Sequence, residues 1–416
     1  MSSTSSRPIL FRRMKSTICF ISPKSPCMKL YMRQTPLSDR LARERCARKA
    51  SALFRQTAPC EEVSIDLSTN SYLSLHDNTH VHAAAHKLID GQLSGNLASR
   101  IISTGTALYA RLESALAQWK QTETALVFNS GYAANVGMIQ ALANRSTDIF
   151  CDRLNHASIY DGIRLCGARL HRYRHCDVND LRKRVQTSSS PEKIIVTDSV
   201  FSMDGDCAPL ADICDVARAH DALVMVDEAH ATGIFGMRHS GWVEACGVEE
   251  AIDIRMGTLS KAVAGLGGFF SGSFLLRDHF VNHARSLIYS TALPHSVLAF
   301  DLAAIDYIRS HVGIQAKLLA KAQHFRQLLT DAGFDTLNST TQIIPCLIGD
   351  DARTLHLSRH LRKHGIKAPA VRPPTVPKGT SRLRFSIHAN VDEEHLRRVV
   401  SILKSEIAGQ SPKCSR

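Results

Sequence analysis

The sequence has few features of a membrane protein, a disulfide-stabilised protein or a nucleic-acid-binding protein. Apolar runs are short and broken by charge or glycine, so no stretch reaches the ~18 residues of a transmembrane helix. The 12 cysteines are scattered and contain no C-x-x-C pair, a pattern typical of reduced thiols. Zinc-finger spacing is absent and we expect no metal. Aromatic residues make up only 6% and are not interleaved with basic clusters, so we expect no nucleic-acid partner.

Acidic residues are missing from the first 38 positions, which nevertheless carry seven Lys and Arg residues. This basic leader, residues 1–36, has the composition of an organellar transit peptide. The alternatives are a disordered tail and a start site that is assigned too far upstream. The whole chain has a net charge of +13, and the excess beyond the leader is mild. That balance favours an acidic small substrate or an acidic carrier. We expect a cytoplasmic protein without a membrane partner, or a mitochondrial one if the leader is a transit peptide.

The 416 residues are long enough for two or three domains of about 150 residues. After a basic helical segment at 37–56, apolar runs alternate with helical patterns, which is typical of a parallel sheet with helices on both faces. The predicted strands are 193–198, 223–228, 252–258 and 268–273, with a helix at 210–220. A helix at 311–332 precedes further strands at 341–348 and 382–387. We therefore expect an N-terminal segment (37–75), a large domain (76–305) and a small C-terminal domain (306–410).

Polar residues that follow the predicted strands are the first candidates for a site, because parallel sheets bind ligands at the carboxyl ends of their strands. Lys261 follows the strand at 252–258 among small residues, where its amine could form an imine with an aldehyde. Asp227 closes the strand at 223–228, and a carboxylate there can keep a pyridinium nitrogen protonated. Taken singly, such a lysine is more often a surface residue, and such an aspartate is as often a helix N-cap.

Other stretches could supply further contacts to a ligand. Gly131 precedes a helical pattern, and the free N–H groups and dipole of a helix start suit a phosphate. His156 could stack on a flat ring. Ser202 lies in a polar turn after the strand at 193–198, and Arg384 lies beside a proline-stiffened loop, where it could clamp a carboxylate. Each has a structural alternative, such as a plain helix start, a structural histidine or an exposed basic edge strand.

In order and spacing, these stretches resemble the α-oxoamine synthase family of fold-type I pyridoxal-phosphate (PLP) enzymes. The resemblance spans about residues 37–403 and is carried by DRLNHAS, VFSMDGDCAPL, VDEAHATG, LIYSTALP and VRPPTVPKGTSRLR. It implies a PLP-dependent transferase of α/β class, with a mainly parallel central sheet in a large domain. It also implies a smaller α+β C-terminal domain, an N-terminal helical segment, and a homodimer whose active sites are shared between subunits.

The resemblance assigns roles to individual residues. Lys261 would be the Schiff-base lysine, Asp227 the partner of the pyridinium nitrogen, His156 the ring-stacking residue and His230 the partner of the phenolic oxygen. The remaining cofactor contacts would be Gly131, Tyr132, Ser202 and Thr258, with Ser290 and Thr291 reaching the phosphate of the other subunit. The substrate would contact His156, Arg55 near the acyl group, Thr375 in the proline loop, and Arg384 at the amino-acid carboxylate.

The VRPPTVPKGTSRLR stretch is the most discriminating, because glycine-specific members of the family usually lack its proline loop. It implies a decarboxylative condensation of L-alanine with a pimeloyl thioester of coenzyme A or of a carrier protein. The alternatives are a sister enzyme, such as glycine C-acetyltransferase, and a non-catalytic relative. Leu97, Ala98 and Tyr109 depart from the family pattern near the expected acyl entrance, and they leave the acyl-chain specificity open.

Overall fold

The computed structural model describes residues 35–51, 54, 63–89, 98–102 and 107–409, with the backbone alone for 407–409. The chain divides into two units, Met1–Cys60 and Glu61–Arg416. In the first unit, helix α1 (Pro36–Ala50) begins after Thr35, whose hydroxyl accepts a hydrogen bond from the N–H of Ser38 at 3.1 Å. This helix confirms most of the basic helical segment predicted at 37–56. Residues 52–53 and 55–56 of that segment lie outside the described residues.

The described strands and helices of the second unit are numbered along the chain. The strands are β1 (Ile65–Asp66), β2 (Thr124–Phe128), β3 (Asp148–Asp152), β4 (Arg169–Tyr173), β5 (Lys193–Asp198), β6 (Ala222–Asp227), β7 (Ile254–Thr258), β8 (Gly268–Gly272), β9 (Ile343–Gly349), β10 (Ile366–Lys367), β11 (Ala370–Val371) and β12 (Ser381–Ser386). The helices are α2 (Thr79–Ile89), α3 (Ala107–Lys120), α4 (Gly131–Leu142), α5 (Ala157–Cys166), α6 (Val178–Gln186), α7 (Leu210–Ala219), α8 (Trp242–Ala245), α9 (Phe274–His283), α10 (Arg285–Ile288), α11 (His295–Ser310), α12 (Ile314–Asp331), α13 (Asp351–Lys363) and α14 (Glu393–Gly409). The predicted strands and helices beyond residue 190 are confirmed to within three residues at each end.

A seven-stranded sheet with the order β2-β8-β7-β6-β5-β3-β4 forms the centre of this unit. Strand β8 runs antiparallel to both of its neighbours, and the other pairs are parallel. The reason for the reversal is the short link of residues 259–267 between β7 and β8, which has no room for the crossover helix that a parallel connection needs. The predicted fold class, a mainly parallel central sheet, is confirmed.

Both faces of the sheet are covered, which explains why its central strands are continuous apolar runs. Side chains alternate between two cores along each strand. Ile194 and Val196 of β5 pack in one core with α4 and α5, whereas Ile195 packs in the other core with α6 and α7. Strand β6 follows the same alternation, with Met225 on the first side and Val224 on the second. The sheet is therefore held rigidly from both sides.

The C-terminal part of the chain has its own antiparallel sheet, in the order β11-β12-β9. Strand β1 does not join the large sheet but pairs in parallel with β10, with Ile65 opposite Ile366. Residues 65–66 of the predicted N-terminal segment are thus tied to the C-terminal part. The domain boundaries drawn from the sequence stay a prediction.

Two expectations about the chain as a whole can be compared with the described residues. None of their helices is long and apolar enough to cross a bilayer. The described cysteines are all free thiols, among them the buried Cys151, Cys214 and Cys346.

The residues that end the parallel strands β3, β5, β6 and β7 are Asp152, Asp198, Asp227 and Thr258. These polar ends lie at one edge of the sheet, which is where the candidate site is found.

Candidate active site

A cleft of about 180 Å³ lies at the carboxyl ends of β5, β6 and β7. Seven of the residues proposed from the sequence line it: Gly131, Tyr132, His156, Asp227, His230, Thr258 and Lys261. The other lining residues are Ser130, Asn135, Asp198, Ala229, Met256 and Ser260. The sequence therefore located most of this cleft.

Lys261 lies in the loop between β7 and β8. The loop is closed by main-chain bonds from Leu259 N–H to the Gly267 carbonyl (3.0 Å) and from Ala264 N–H to the Lys261 carbonyl (2.9 Å). Among the described residues, its Nζ has no hydrogen-bond or ion-pair partner. Burial lowers the pKa of Lys261, although the nearby carboxylates of Asp227 and Asp198 oppose that shift. The amine is thus available as a nucleophile and as a base.

Asp227 is the last residue of β6, and its side chain is buried. Its Oδ1 accepts a hydrogen bond from the N–H of Ala229 at 2.8 Å, and its Oδ2 accepts one from Nδ2 of Asn135 at 2.7 Å. Two donors therefore fix the orientation of the carboxylate. Such a group can keep the nitrogen of a pyridine ring protonated.

His156 precedes α5 and faces the same cleft. The main-chain N–H of His156 donates to Oδ1 of Asp198 at 3.3 Å, and its ring Nδ1 lies 2.7 Å from the hydroxyl of Ser158. Burial lowers the pKa of His156, so the ring favours its neutral form. A neutral imidazole with a fixed orientation is suited to stacking on an aromatic ligand.

His230 lies three residues beyond Asp227 and is also buried. Its Nδ1 is 2.6 Å from the hydroxyl of Tyr72, which in turn donates to Oδ1 of Asn70 at 3.2 Å. Burial, together with the positive charges of Lys261 and Arg384, holds the pKa of His230 well below its usual value. The contact with Tyr72 was missed by the sequence analysis, because 158 residues separate the two positions.

A phosphate-sized group could be held where α4 begins. Ser130 caps this helix by accepting a hydrogen bond from the N–H of Ala133 at 3.1 Å. A Cβ at Gly131 would lie 2.9 Å from the terminal methyl carbon of Met256, whose side chain would have to shift to make room for it. The hydroxyls of Thr258 and Ser260 lie 2.9 Å apart beside the helix start. Free helix N–H groups and hydroxyl donors suit a phosphate.

Tyr132 occupies the rim of the cleft and is about half exposed, at 49%. Its hydroxyl donates to Oδ2 of Asp161 at 2.5 Å, and this hydrogen bond raises the pKa of Tyr132. The ring is thus held at the entrance rather than in the interior. This position is consistent with the predicted contact to a cofactor.

Arg384 lies on β12 and is buried, at 5% exposed. Its Nε donates to the carbonyl oxygen of Ser202 (2.6 Å), Nη1 to Oγ of Ser386 (2.7 Å) and Nη2 to Oδ1 of Asn70 (3.3 Å). A guanidinium has five N–H donors, and Arg384 also hydrogen-bonds Tyr72, so at least one donor remains for a substrate. Ser202 does not line the cleft, and its described contact is this main-chain support of Arg384; its contact with a cofactor stays a prediction.

Three further predicted residues, Ser290, Thr291 and Thr375, do not line the cleft of this chain. Thr291 forms an antiparallel bridge with Ser99, and its carbonyl accepts a hydrogen bond from the side chain of Asn129. Ser290 precedes it, after α10. Thr375 is exposed in the loop between β11 and β12. Arg55 lies outside the described residues, so the roles assigned to these residues stay predictions.

Two further positions bear on the predicted acyl entrance. Tyr109 is buried, and its hydroxyl accepts a hydrogen bond from the N–H of Leu293 at 2.7 Å, while Arg100 lies over its ring at 4.3 Å. Tyr109 is therefore part of the packing beneath the 289–293 segment. The carbonyl of Ala98 accepts from the N–H of Ala292 at 3.0 Å, and Leu97 lies outside the described residues.

Asp198 was not singled out from the sequence, although it lines the cleft. It is paired in register with Asp227 at the ends of neighbouring strands. Burial and the charge of Asp227 raise the pKa of Asp198 well above its usual value. The signal was available in the sequence, because a buried apolar run ends at this carboxylate.

The chemistry of this donor set fits PLP. Lys261 offers an amine for the aldehyde, Asp227 a carboxylate for the ring nitrogen, and His156 an imidazole for the ring face. His230 can contact the phenolic oxygen. The start of α4 offers N–H groups for the phosphate.

A sequence model of class I and II aminotransferases matches residues 62–403, so the chain belongs to this family. The chain is 45% identical to the 8-amino-7-oxononanoate synthase of Geotalea daltonii over 341 residues, 81% of this chain and 87% of that protein. A serine palmitoyltransferase from S. paucimobilis, solved with a PLP–myriocin aldimine, has a TM-score of 0.84 at 31% identity and covers 90% of this chain and 99% of its own. The 8-amino-7-oxononanoate synthase of Francisella tularensis has a TM-score of 0.73 at 25% identity and covers 83% and 98%.

These relatives confirm the resemblance found in the sequence. The chain has the fold-type I architecture and is an enzyme, an acyltransferase similar to 8-amino-7-oxononanoate synthases. Its cofactor is PLP.

Proposed function

We propose that this enzyme condenses L-alanine with a pimeloyl thioester to give 8-amino-7-oxononanoate, CO2 and a free thiol, a step of biotin biosynthesis. The observation that carries the proposal is the convergence of Lys261, Asp227, His156 and His230 on one cleft. The 45% identity to a synthase of that name supports this choice of substrates.

Arg384 binds the amino-acid carboxylate in this proposal. Its positive charge and an N–H donor left after its hydrogen bonds within the protein can pair with a carboxylate. Because Ser202, Ser386 and Asn70 already hold the guanidinium in place, substrate binding needs little reorganisation. A fixed carboxylate then orients the Cα–H bond of alanine relative to Lys261.

Lys261 removes the Cα proton of alanine. Its lowered pKa places a larger share of the amine in the neutral form that can accept a proton. PLP, when bound, supplies an electron sink for the pair left at Cα, and Asp227 holds the proton on the ring nitrogen that makes the sink effective. The new C–C bond forms at the thioester carbonyl as the thiol departs. The alanine carboxylate then leaves as CO2, and Cα takes a proton back from Lys261.

We further propose that the enzyme is a cytoplasmic homodimer with shared active sites. Ser290 and Thr291 lie next to Tyr289, whose side chain is 71% exposed, and Thr291 bridges to the segment that carries Ile102, 76% exposed. Large apolar side chains exposed on the surface favour a protein interface. An interface there would bring Ser290 and Thr291 toward the phosphate site of the other subunit.

The serine palmitoyltransferase neighbour gives one reason to test a second function. Its TM-score of 0.84 exceeds the 0.73 of the Francisella tularensis synthase. A condensation that uses L-serine or glycine is therefore the alternative. The proline loop at Thr375 and the higher sequence identity to the Geotalea daltonii protein, 45% against 31%, favour alanine and a pimeloyl group.

The test is thiol release by the purified enzyme with pimeloyl-CoA and L-alanine, with glycine and L-serine in parallel. We expect thiol release with alanine, and we expect Lys261→Ala to abolish it. Lys193→Ala is the matched control and should retain the release, because Lys193 begins β5 and the cleft lies at the other end of that strand. Release with serine or glycine instead of alanine would contradict the proposal. If pimeloyl-CoA gives no release, a pimeloyl carrier protein is offered as the donor, and failure with both also contradicts it.

A further inference from the structure

We propose that Asn135 and Ser158 are positioning residues that join the two groups assigned to the cofactor ring into one hydrogen-bonded unit. Those two groups are Asp227 and His156. The proposal depends on the cofactor roles given above and not on which amino acid or thioester reacts. Neither Asn135 nor Ser158 was proposed as a site residue from the sequence.

The unit is a continuous chain of three side-chain hydrogen bonds. Nδ2 of Asn135 donates to Oδ2 of Asp227 at 2.7 Å and to Oγ of Ser158 at 2.9 Å. The hydroxyl of Ser158 lies 2.7 Å from Nδ1 of His156. Asn135 is 1% exposed and Ser158 is fully buried, so water does not compete for these bonds.

The direction of every bond in the chain follows from the chemistry of its ends. A carboxylate only accepts hydrogen bonds, so Asn135 must present its NH₂ group to Asp227. The same NH₂ group donates to Ser158, which leaves the single hydroxyl proton of Ser158 for Nδ1 of His156. The main-chain N–H of Ser158 points at the same nitrogen from 3.3 Å. The neutral ring of His156 therefore carries its proton on Nε2.

The amide of Asn135 has an energetic cost, so packing alone does not explain why this residue is an asparagine. Oδ1 of Asn135 is buried and has no hydrogen-bond partner among the described residues. A buried acceptor without a partner is unfavourable, and an apolar side chain at this position would avoid it. The amide is explained by its two donations, one toward each group that faces the cofactor ring. Because burial also lowers the pKa of His156, the acceptor state of Nδ1 is the stable one.

The unit has a direct consequence for the cofactor. Asp227 is held at Oδ2 by Asn135, so loss of the amide leaves only the bond from the N–H of Ala229 to orient the carboxylate. Loss of the Ser158 hydroxyl leaves Nδ1 of His156 with only the longer bond of 3.3 Å from the main-chain N–H of Ser158, so the ring is held less firmly. Either change loosens the cofactor ring without touching Lys261, Arg384 or the phosphate end.

The experiment is a double-mutant cycle on cofactor binding with Asn135→Ala, Ser158→Ala and the double variant. The readouts are the Kd for PLP from absorbance titration and the visible circular dichroism per bound cofactor. We expect each single variant to raise Kd about tenfold, as for a hydrogen bond to a charged or aligned group, and to weaken the dichroism. Because the bonds form one unit, the double variant should exceed the worse single variant by no more than about threefold. Ser158→Thr, which keeps the hydroxyl, should restore both signals.

Ser271→Ala serves as the matched control. Ser271 is fully buried on β8 and donates to the Arg255 carbonyl at 3.4 Å, away from the cleft. The proposal is overturned if both single variants bind PLP like the parent enzyme. It is also overturned if the increase in Kd of the double variant equals the product of the increases in the two single variants. The same holds if Ser271→Ala raises the Kd for PLP as much as the single variants do, while its urea unfolding midpoint equals theirs. These readouts need no substrate, so an enzyme that turns out to use serine would leave the result standing.

Discussion

Asp198 and Asp227 end neighbouring parallel strands in direct register, so two buried carboxylates face one cleft. Their surroundings differ. Asp227 accepts hydrogen bonds from Ala229 and Asn135, whereas Oδ1 of Asp198 accepts one bond of 3.3 Å from His156. Burial and the charge of Asp227 raise the pKa of Asp198 well above its usual value. The two groups therefore differ: Asp227 is oriented by two donors, whereas the raised pKa of Asp198 favours its protonated form.

This difference predicts opposite results for two matched substitutions. Asp198→Asn copies the protonated state, so we expect PLP binding to be retained and kcat to fall by less than about tenfold. Asp227→Asn removes the charge that faces the ring nitrogen, and we expect kcat to fall by at least about 100-fold. Both values come from thiol-release kinetics on the purified variants. Similar losses in the two variants would contradict this difference.

Asp198 also has a pH signature in the cofactor-free protein. Its pKa is raised in the folded state, so unfolding releases a proton above the unfolded pKa of about 3.8. The stability that Asp198 contributes is present below that pH and is lost as the pH rises through the pKa of Asp198 in the folded state. Asp198→Asn has no such carboxyl group, so its stability does not fall for this reason. We expect urea midpoints of the variant, relative to the parent, to rise between pH 4 and pH 7, and a constant difference would contradict the shift.

Arg384 should control the affinity for the amino acid more than the chemical step. Arg384→Gln removes the positive charge that pairs with a carboxylate, so we expect KM for L-alanine to rise at least about tenfold. The Kd for PLP should change much less, because Arg384 does not line the cofactor cleft. Steady-state kinetics and an absorbance titration measure the two quantities. An unchanged KM would assign the carboxylate to another residue.

The sequence predicted the parts of the site that depend on local order. Lys261 and Asp227 were found because buried strands end just before or at them, and Gly131 because it precedes a helix. The bonds that orient these groups were missed, since His230 and Tyr72 are 158 residues apart and Asn135 and Asp227 are 92 apart. Spacing along the chain carries no information about such pairs.

Ser202 illustrates a second limit. The family resemblance predicted a cofactor contact for Ser202, but the described contact is its carbonyl oxygen, which accepts a hydrogen bond from Nε of Arg384. Main-chain groups are the same in every residue type, so composition does not reveal which of them a fold will use. The reversed direction of β8 was, by contrast, already implied by the short link before it.

Beneath the cleft, Lys120 and Glu228 form a fully buried ion pair, with Nζ 2.7 Å from Oε2. Nζ also donates to Thr232 at 3.0 Å, and Glu228 accepts the N–H of Val243 at 2.8 Å. Glu228→Gln alone leaves a buried cation without its counter-charge, so we expect a loss of about 3–5 kcal/mol in the free energy of unfolding. Lys120→Met together with Glu228→Gln should cost less than the sum of the single changes. Urea unfolding of all three variants measures this, and additive losses would show that the pair does not act as a unit.

Tyr72 should act through His230 rather than on the substrate. Its buried hydroxyl lies 2.6 Å from Nδ1 of His230, and no other side chain among the described residues contacts that nitrogen. In Tyr72→Phe the nitrogen loses its partner and the ring loses its fixed orientation, so we expect kcat to fall about tenfold with little change in KM for L-alanine. The absorbance of the bound cofactor should also shift, since His230 faces its phenolic oxygen in our assignment. His76→Phe is the control, because His76 is an exposed histidine that hydrogen-bonds Ser71. An equal effect of both substitutions on kcat, or an unshifted cofactor spectrum in Tyr72→Phe, would show that the Tyr72–His230 contact is only structural.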